Sequence, residues 1–213
     1  MHAQAGRICE YCMTTLPWNN CCCERCGQPL AVSAPVGVSC AACQRSAPIV
    51  TKARAPLRYS FPVDIALKKF KFQRQTVFAP AFADLLLPII WSEFGECDAL
   101  VPVPLHRWRH VTRGFNQADE LCRLLAAKTG LPVRRHIVRR RATRSQSGLS
   151  AAERRKNLRG AFAIRAGTHC RFPLIIDDVI TTGTTCNQMA RILFAANAEK
   201  VGALTIARSG FDQ

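Results

Sequence analysis

Three consecutive apolar residues, Leu174-Ile175-Ile176, run into Asp177-Asp178 and then, past Val179-Ile180, into Thr181-Thr182-Gly183-Thr184-Thr185. Few folds accept such an order. A short, wholly apolar run reads as a strand buried on both faces, the situation of a parallel sheet in an α/β protein. Acidic residues at the end of such a strand stand at the carboxyl edge, where open α/β sheets bind their ligands. The hydroxyl- and glycine-rich loop leads into a helical pattern, so it offers hydroxyl donors, free backbone N–H groups and the positive end of a helix dipole. Carboxylates suit sugar hydroxyls, and the loop suits a phosphate. A plain polar turn is the alternative, but two adjacent carboxylates beside a buried strand are costly there. The chain has neither G-x-x-x-x-G-K-[ST] nor G-x-G-x-x-G at this point, which excludes the P-loop and the dinucleotide fingerprint.

The cysteines define a second unit. Eight of the 12 lie between Cys9 and Cys43, and they include three C-x-x-C pairs: Cys9/Cys12, Cys23/Cys26 and Cys40/Cys43. Two such knuckles close a tetrahedral, structural zinc site. Cys23, Cys26, Cys40 and Cys43 are the preferred quartet, and Gly27 supplies the positive-φ turn that a knuckle uses. Cys9 and Cys12 would form a second site only with further partners, of which Cys21 and Cys22 are the near candidates. Free structural cysteines are the alternative, and no βαβ pattern around the pairs suggests a redox role.

Charge is concentrated rather than spread. The net charge is +16, and residues 105–171 hold 17 of the 30 basic residues but only 3 of the 14 acidic ones. That distribution points to a face for phosphate, pyrophosphate or nucleic acid. Within it, Val101-Pro102-Val103-Pro104 ends a buried strand with two prolines, and His106, Arg107, Arg109, His110 and Arg113 follow. A stiff turn with converging cations suits pyrophosphate. Asn116 reads either as a helix cap or as a ligand group. Residues 139–162, with Arg141, Arg144, Gln146, Arg155 and Asn157, are polar, basic and poor in apolar anchors. They read as a lid, with a nucleic-acid contact and a passive loop as alternatives. Lys68, Lys69, Lys71 and Arg74 read as a solvated helix face in preference to a phosphate contact.

The expected architecture is an α/β domain over residues 57–213, preceded by a cysteine module over residues 1–56. Residues 51–56 read as a connector. Helices are expected from Pro62 and over residues 78–90, with a short strand over residues 58–61. No apolar run is long enough to cross a membrane, and the N-terminus lacks a signal-peptide layout, so a cytoplasmic setting is expected without membrane insertion.

The Asp-Asp-Thr stretch resembles the signature of type I phosphoribosyltransferases, which bind phosphoribosyl pyrophosphate (PRPP). Taken with the cysteine ribbon, Val101-Pro102-Val103-Pro104-Leu105, Arg113-Gly114-Phe115-Asn116-Gln117 and the basic loop, nearly the whole chain resembles the ComF family. Those proteins are amidophosphoribosyltransferase-like and include competence proteins for DNA uptake. The resemblance implies a type I phosphoribosyltransferase fold, a parallel sheet flanked by helices. It implies that Asp177 and Asp178 accept from the ribose hydroxyls and that Thr181, Thr182, Gly183, Thr184 and Thr185 hold the 5′-phosphate. Val103, Pro104 and Arg113 would face pyrophosphate, and the loop carrying Arg141, Arg144, Gln146, Arg155 and Asn157 would close over it. Mg2+ would arrive with PRPP, and Zn2+ would be structural. Single-stranded DNA and other competence proteins are the further partners implied. Whether the chain turns PRPP over as a pentosyl transferase, and onto which acceptor, stays open at this stage, as does a PRPP-sensing regulator.

Overall fold

The computed structural model describes residues 3–4, 7–72, 76–105, 115–139, 160–165 and 169–210. Its centre is a five-stranded, wholly parallel sheet. The order is β3 (Lys52–Arg54), β9 (Gly202–Arg208), β8 (Pro173–Ile180) and β5 (Ala99–Pro102), and β4 (Leu57–Arg58) continues the β3 edge along β9. Every residue of β9 is buried, as is most of β8. Such burial needs cover on both faces, and the chain provides it.

One face packs against α3 (Val63–Phe72), α4 (Phe78–Glu93) and α5 (Gln117–Thr129). Leu100, Leu174, Ile176, Leu204 and Ile206 enter this layer with Phe70, Phe82 and Leu121. The alternate strand residues Val101, Ile175 and Ala203 point the other way, toward α6 (Thr184–Ala195) and the antiparallel pair β6 (Ile137–Arg139) and β7 (Phe162–Ile164). This is the period-two alternation of a strand buried on both sides. At Gly202 the layers come so close that a Cβ would lie 2.8 Å from Leu174 Cδ1 and 2.9 Å from Phe94 Cε1. A small residue is therefore required where the centre of the sheet meets the end of α4.

Several local expectations are met. Asn116 caps α5, its Oδ1 accepting from Ala118 N at 3.1 Å, while its Nδ2 donates to the Val103 carbonyl at 3.0 Å. The helix after Pro62 and the apolar helix from Phe78 both form, and the second runs through Pro88 to Glu93. Other features differ. Residues 51–56 do not merely connect, because Lys52–Arg54 forms an edge strand paired to β9. The strand expected over residues 58–61 is Leu57–Arg58 instead, and Ser60 and Phe61 turn into α3 through a cis Phe61–Pro62 bond. The strand β9 is not among the elements expected from the sequence. No helix among the described residues is long and apolar enough to cross a membrane.

The N-terminal segment holds α1 (Glu10–Thr15), α2 (Ala41–Arg45) and a two-stranded pair of β1 (Ala3–Gln4) with β2 (Arg7–Ile8). It docks on the sheet edge. Asn19 is buried and donates to the carbonyls of Gly27 at 2.9 Å and Ala55 at 3.2 Å.

Candidate ligand site and metal centre

The strand β8 does not end at its apolar run. It carries Asp177 and Asp178 within the strand, Asp177 opposite Thr205 of β9, and pairs onward to Ile180. The carboxylates therefore sit on a rigid element at the C-terminal edge of the sheet. Thr181-Thr182-Gly183 then turns the chain into α6. Gly183 has φ 72° and ψ 2°, a left-handed conformation that side chains with a Cβ adopt only with strain. Thr182 Oγ1 lies 2.7 Å from Thr184 Oγ1 and accepts from Thr184 N at 3.4 Å. The N-cap residue Gly183 brings no side chain, so apart from the Thr184 N–H held by Thr182 the first N–H groups of this 12-residue helix face the loop.

The two aspartates are not equivalent. Asp178 is 8% exposed and pairs with Lys71 Nζ at 3.0 Å. Asp177 is half-buried and accepts from the Asp178 backbone N–H at 2.9 Å. Burial and the neighbouring Asp178 carboxylate push its carboxyl up to about 7, against the opposing pull of that N–H, Lys71 and Arg139. An adjacent pair of unlike carboxylates beside a hydroxyl loop can accept from a vicinal diol and take part in cation binding.

Lys71 is the residue that the sequence misplaced. Lys68 pairs with Asp64 on the exposed face of α3 and Lys69 is exposed, as a solvated face requires. Lys71, at the end of the same helix, turns inward instead, and Arg74 lies outside the described residues. Gln117 Nε2 donates to the Lys71 carbonyl at 3.3 Å and fixes this corner.

The β5–β8 ladder brings Val103 beside the site, since its N–H donates to the Ile176 carbonyl at 3.0 Å. Pro104 is half-buried and lines a cavity of ≈ 410 Å³ with Leu105, Phe115, Asn116, Asp119 and Arg135. Arg113 lies outside the described residues, and so do Arg141, Arg144, Gln146, Arg155 and Asn157. What is described is where the loop departs and returns. Arg139 pairs with Phe162 in the β6–β7 ladder, with its guanidinium 5.6 Å from the Phe162 ring centroid, so both ends of the intervening segment are held together.

The second constellation is thiolate. The sulfurs of Cys23, Cys26, Cys40 and Cys43 all lie within 4.8 Å of one another. Zn–S bonds of about 2.3 Å in a tetrahedron put sulfurs about 3.8 Å apart. Cys26 Sγ and Cys40 Sγ are 3.8 Å apart, so the set fits a structural metal such as zinc. Gly27 has φ 67°, and a Cβ there would lie 3.0 Å from the Ala53 carbonyl oxygen. Burial raises the Cys23 thiol, but backbone N–H groups of Cys40, Cys26 and Arg25 outweigh it and hold the thiol at about 7. The Cys40 N–H is 3.2 Å from Cys23 Sγ. Cys9 is exposed at the N-cap of α1, and Cys9 and Cys12 stand outside this cluster. Cys21 donates instead to the Ala31 carbonyl at 2.9 Å.

No protein-family model matches the chain. Individual relatives match it over nearly its whole length. Competence protein F of Haemophilus influenzae is 31% identical over 222 residues, covering 98% of this chain and 93% of its own. The chain belongs to the ComF family. DNA utilization protein YhgH of Salmonella typhimurium is 32% identical, with 95% of this chain and 90% of its own covered. Competence protein ComFC of Streptococcus pneumoniae is 25% identical, with coverage of 94% and 87%. The alignments span both the cysteine cluster and the Asp177-Asp178 strand of this ComF-family chain.

Proposed function

We propose that this chain is a PRPP-binding, phosphoribosyltransferase-like protein that serves DNA uptake. One observation carries the ligand. Adjacent carboxylates lie within the central parallel strand, which feeds a left-handed glycine loop onto a helix N-terminus whose N-cap residue brings no side chain. Asp177 and Asp178 accept from the ribose hydroxyls, and Thr181 through Thr185 hold the 5′-phosphate by hydroxyl and backbone N–H donors. Val103, Pro104 and Arg113 face the pyrophosphate, and the segment carrying Arg141, Arg144, Gln146, Arg155 and Asn157 closes on it. Mg2+ enters with PRPP, held mostly by ligand and water oxygens, and adds positive charge against the pyrophosphate. Residues 57–213 form the ligand domain, with an edge strand lent by the 1–56 cysteine module. The names of the relatives support the setting, since they refer to competence and DNA utilization. Thiolates that must stay reduced to bind metal fit a cytoplasmic location.

If transfer occurs, pyrophosphate leaves C1 of the ribose through an oxocarbenium-like state, with the loop cations stabilising the leaving group. Pyrophosphate release from PRPP and magnesium, assayed against a panel of nucleobases and amines, tests turnover. Release that requires one acceptor and disappears in Asp178→Ala supports a transferase.

The basic segment favours a second reading, a single-stranded DNA-handling factor for which PRPP is only a ligand. With 17 basic and 3 acidic residues in positions 105–171, strand binding should weaken steeply as salt rises. Neutralising Arg139, Arg140, Arg141 and Arg144 together should flatten that salt slope. Binding unchanged by those substitutions counts against this reading.

A further inference from the structure

Arg208 ends the buried strand β9 and is only 3% exposed. Its guanidinium spans the two constellations. Nε donates to the carbonyl of Cys26, a residue of the thiolate cluster, at 3.2 Å. Nη1 donates to the carbonyl of Ile180 at 3.1 Å, to that of Thr181 and to that of Ser209 at 3.0 Å. One planar group thus ties a metal knuckle to the first residue of the phosphate loop. Only arginine offers divergent donors in so rigid a fork.

The electrostatics carry the same message. Among the described residues Arg208 forms no ion pair with a carboxylate, and its partners are carbonyls. A buried guanidinium so placed is costly without an anion nearby. A metal held by four thiolates carries a net charge of about −2, from the chemistry of such sites. That centre lies on the Cys26 side, and a bound phosphate would lie on the Thr181 side.

Arg54 gives the internal comparison. It is also buried and also serves the knuckle, donating to the Glu24 carbonyl at 2.7 Å and pairing with the Glu24 carboxylate at 2.7 Å. Its remaining ion pair runs to Glu93 at the end of α4, at 2.6 Å, away from the loop. Both arginines anchor the knuckle, and Arg208 is the one whose described contacts continue to Thr181.

We propose that Arg208 is a positioning residue that couples metal occupancy of the cysteine cluster to the shape of the phosphate loop. Metal and a phosphate-bearing ligand then favour one another. The consequence for PRPP rests on the reading of the site given above, whereas the coupling itself can be read without it. By linkage, any tightening of PRPP by the metal must equal the tightening of the metal by PRPP.

The test uses the full chain loaded with zinc, a zinc-selective chelator and magnesium in excess. Hydrogen exchange is followed in peptides covering residues 180–185, with α5 as the reference. Metal removal should speed exchange in the loop and leave α5 unchanged. In Arg208→Lys the loop should exchange fast with or without metal, and in Arg54→Lys it should respond to metal as the wild type does. A loop indifferent to metal in the wild type, or a response in which α5 exchanges equally, overturns the coupling. So does a response of unaltered size in Arg208→Lys. In a second arm, saturating PRPP should raise the zinc affinity, read by equilibrium competition with the chelator, about 10-fold in the wild type and less than about 2-fold in Arg208→Lys. A metal-responsive loop in a chain that does not bind PRPP upholds the coupling and overturns the ligand assignment. PRPP binding in a chain whose loop is indifferent to metal and whose zinc affinity is indifferent to PRPP overturns the coupling and leaves the ligand assignment standing.

Discussion

Replacing Lys71 by methionine removes a charge and keeps most of the side chain's volume, so the carboxylate it faces bears the effect. The Lys71–Asp178 pair is 3.0 Å long, with side-chain exposures of 22% and 12%. Exposed pairs contribute about 0–1 kcal/mol, whereas removing one partner of a buried pair costs about 3–5 kcal/mol. Partial solvent access at Lys71 places the substitution between these, at about 2 kcal/mol. For a chain of this length that corresponds to a fall in Tm of about 4–8 °C. Urea unfolding of zinc-loaded protein at pH 7.5 should show the midpoint fall with its slope unchanged. The cause is a stranded carboxylate, so adding Asp178→Asn to Lys71→Met should restore about half of the loss or more. A stability of Lys71→Met within about 0.5 kcal/mol of wild type refutes the reasoning. So does strict additivity of the two substitutions.

Asp177 predicts a pH dependence. Its carboxyl holds a proton up to about 7 in the folded chain and loses it near the ordinary value of about 3.9 once unfolded. The folded state therefore binds more protons between these values, and the group's contribution to stability falls as pH rises through that window. Between pH 5.5 and 7.5 the urea midpoint of Asp177→Asn should decline less than that of the wild type, and parallel curves would contradict this. The thiolate cluster predicts a metal count. Purified protein should carry about one zinc per chain, lost in Cys23→Ser or Cys43→Ser and kept in Cys9→Ser, as measured by release to a colorimetric chelator. Zinc lost from Cys9→Ser would show that the first knuckle contributes a ligand.

Much of the sheet centre was legible because a doubly buried parallel strand leaves a wholly apolar run, as Leu174-Ile175-Ile176 does. The helix cap at Asn116 and the knuckle turn at Gly27 were legible because each rests on local chemistry. What was not legible depends on contacts across the fold. β9 is hard to see in the sequence because Gly202, Ala203 and Ala207 make its run weakly apolar. At Gly202 the small size is required, because Phe94 and Leu174 crowd the strand there. Lys71 and Lys69 are alike in the sequence and differ only in which side of α3 meets β8. Arg208 is one basic residue at the end of a run, and nothing local shows that Cys26 and Thr181 converge on it. The edge strand Lys52–Arg54 is polar because one of its sides carries the Lys52–Glu24 and Arg54–Glu93 ion pairs, and that polarity made it resemble a connector.

The central claim is that the Asp177-Asp178 strand and its threonine loop form a PRPP site. Isothermal titration of the zinc-loaded chain with PRPP and magnesium addresses it directly. One site per chain is expected, with binding lost or weakened at least about 10-fold in Asp178→Ala. Ribose 5-phosphate should bind more weakly than PRPP, since it lacks the pyrophosphate. No heat of binding at millimolar PRPP, in protein shown to be folded and metal-loaded, would contradict the account, as would binding that Asp178→Ala leaves unchanged.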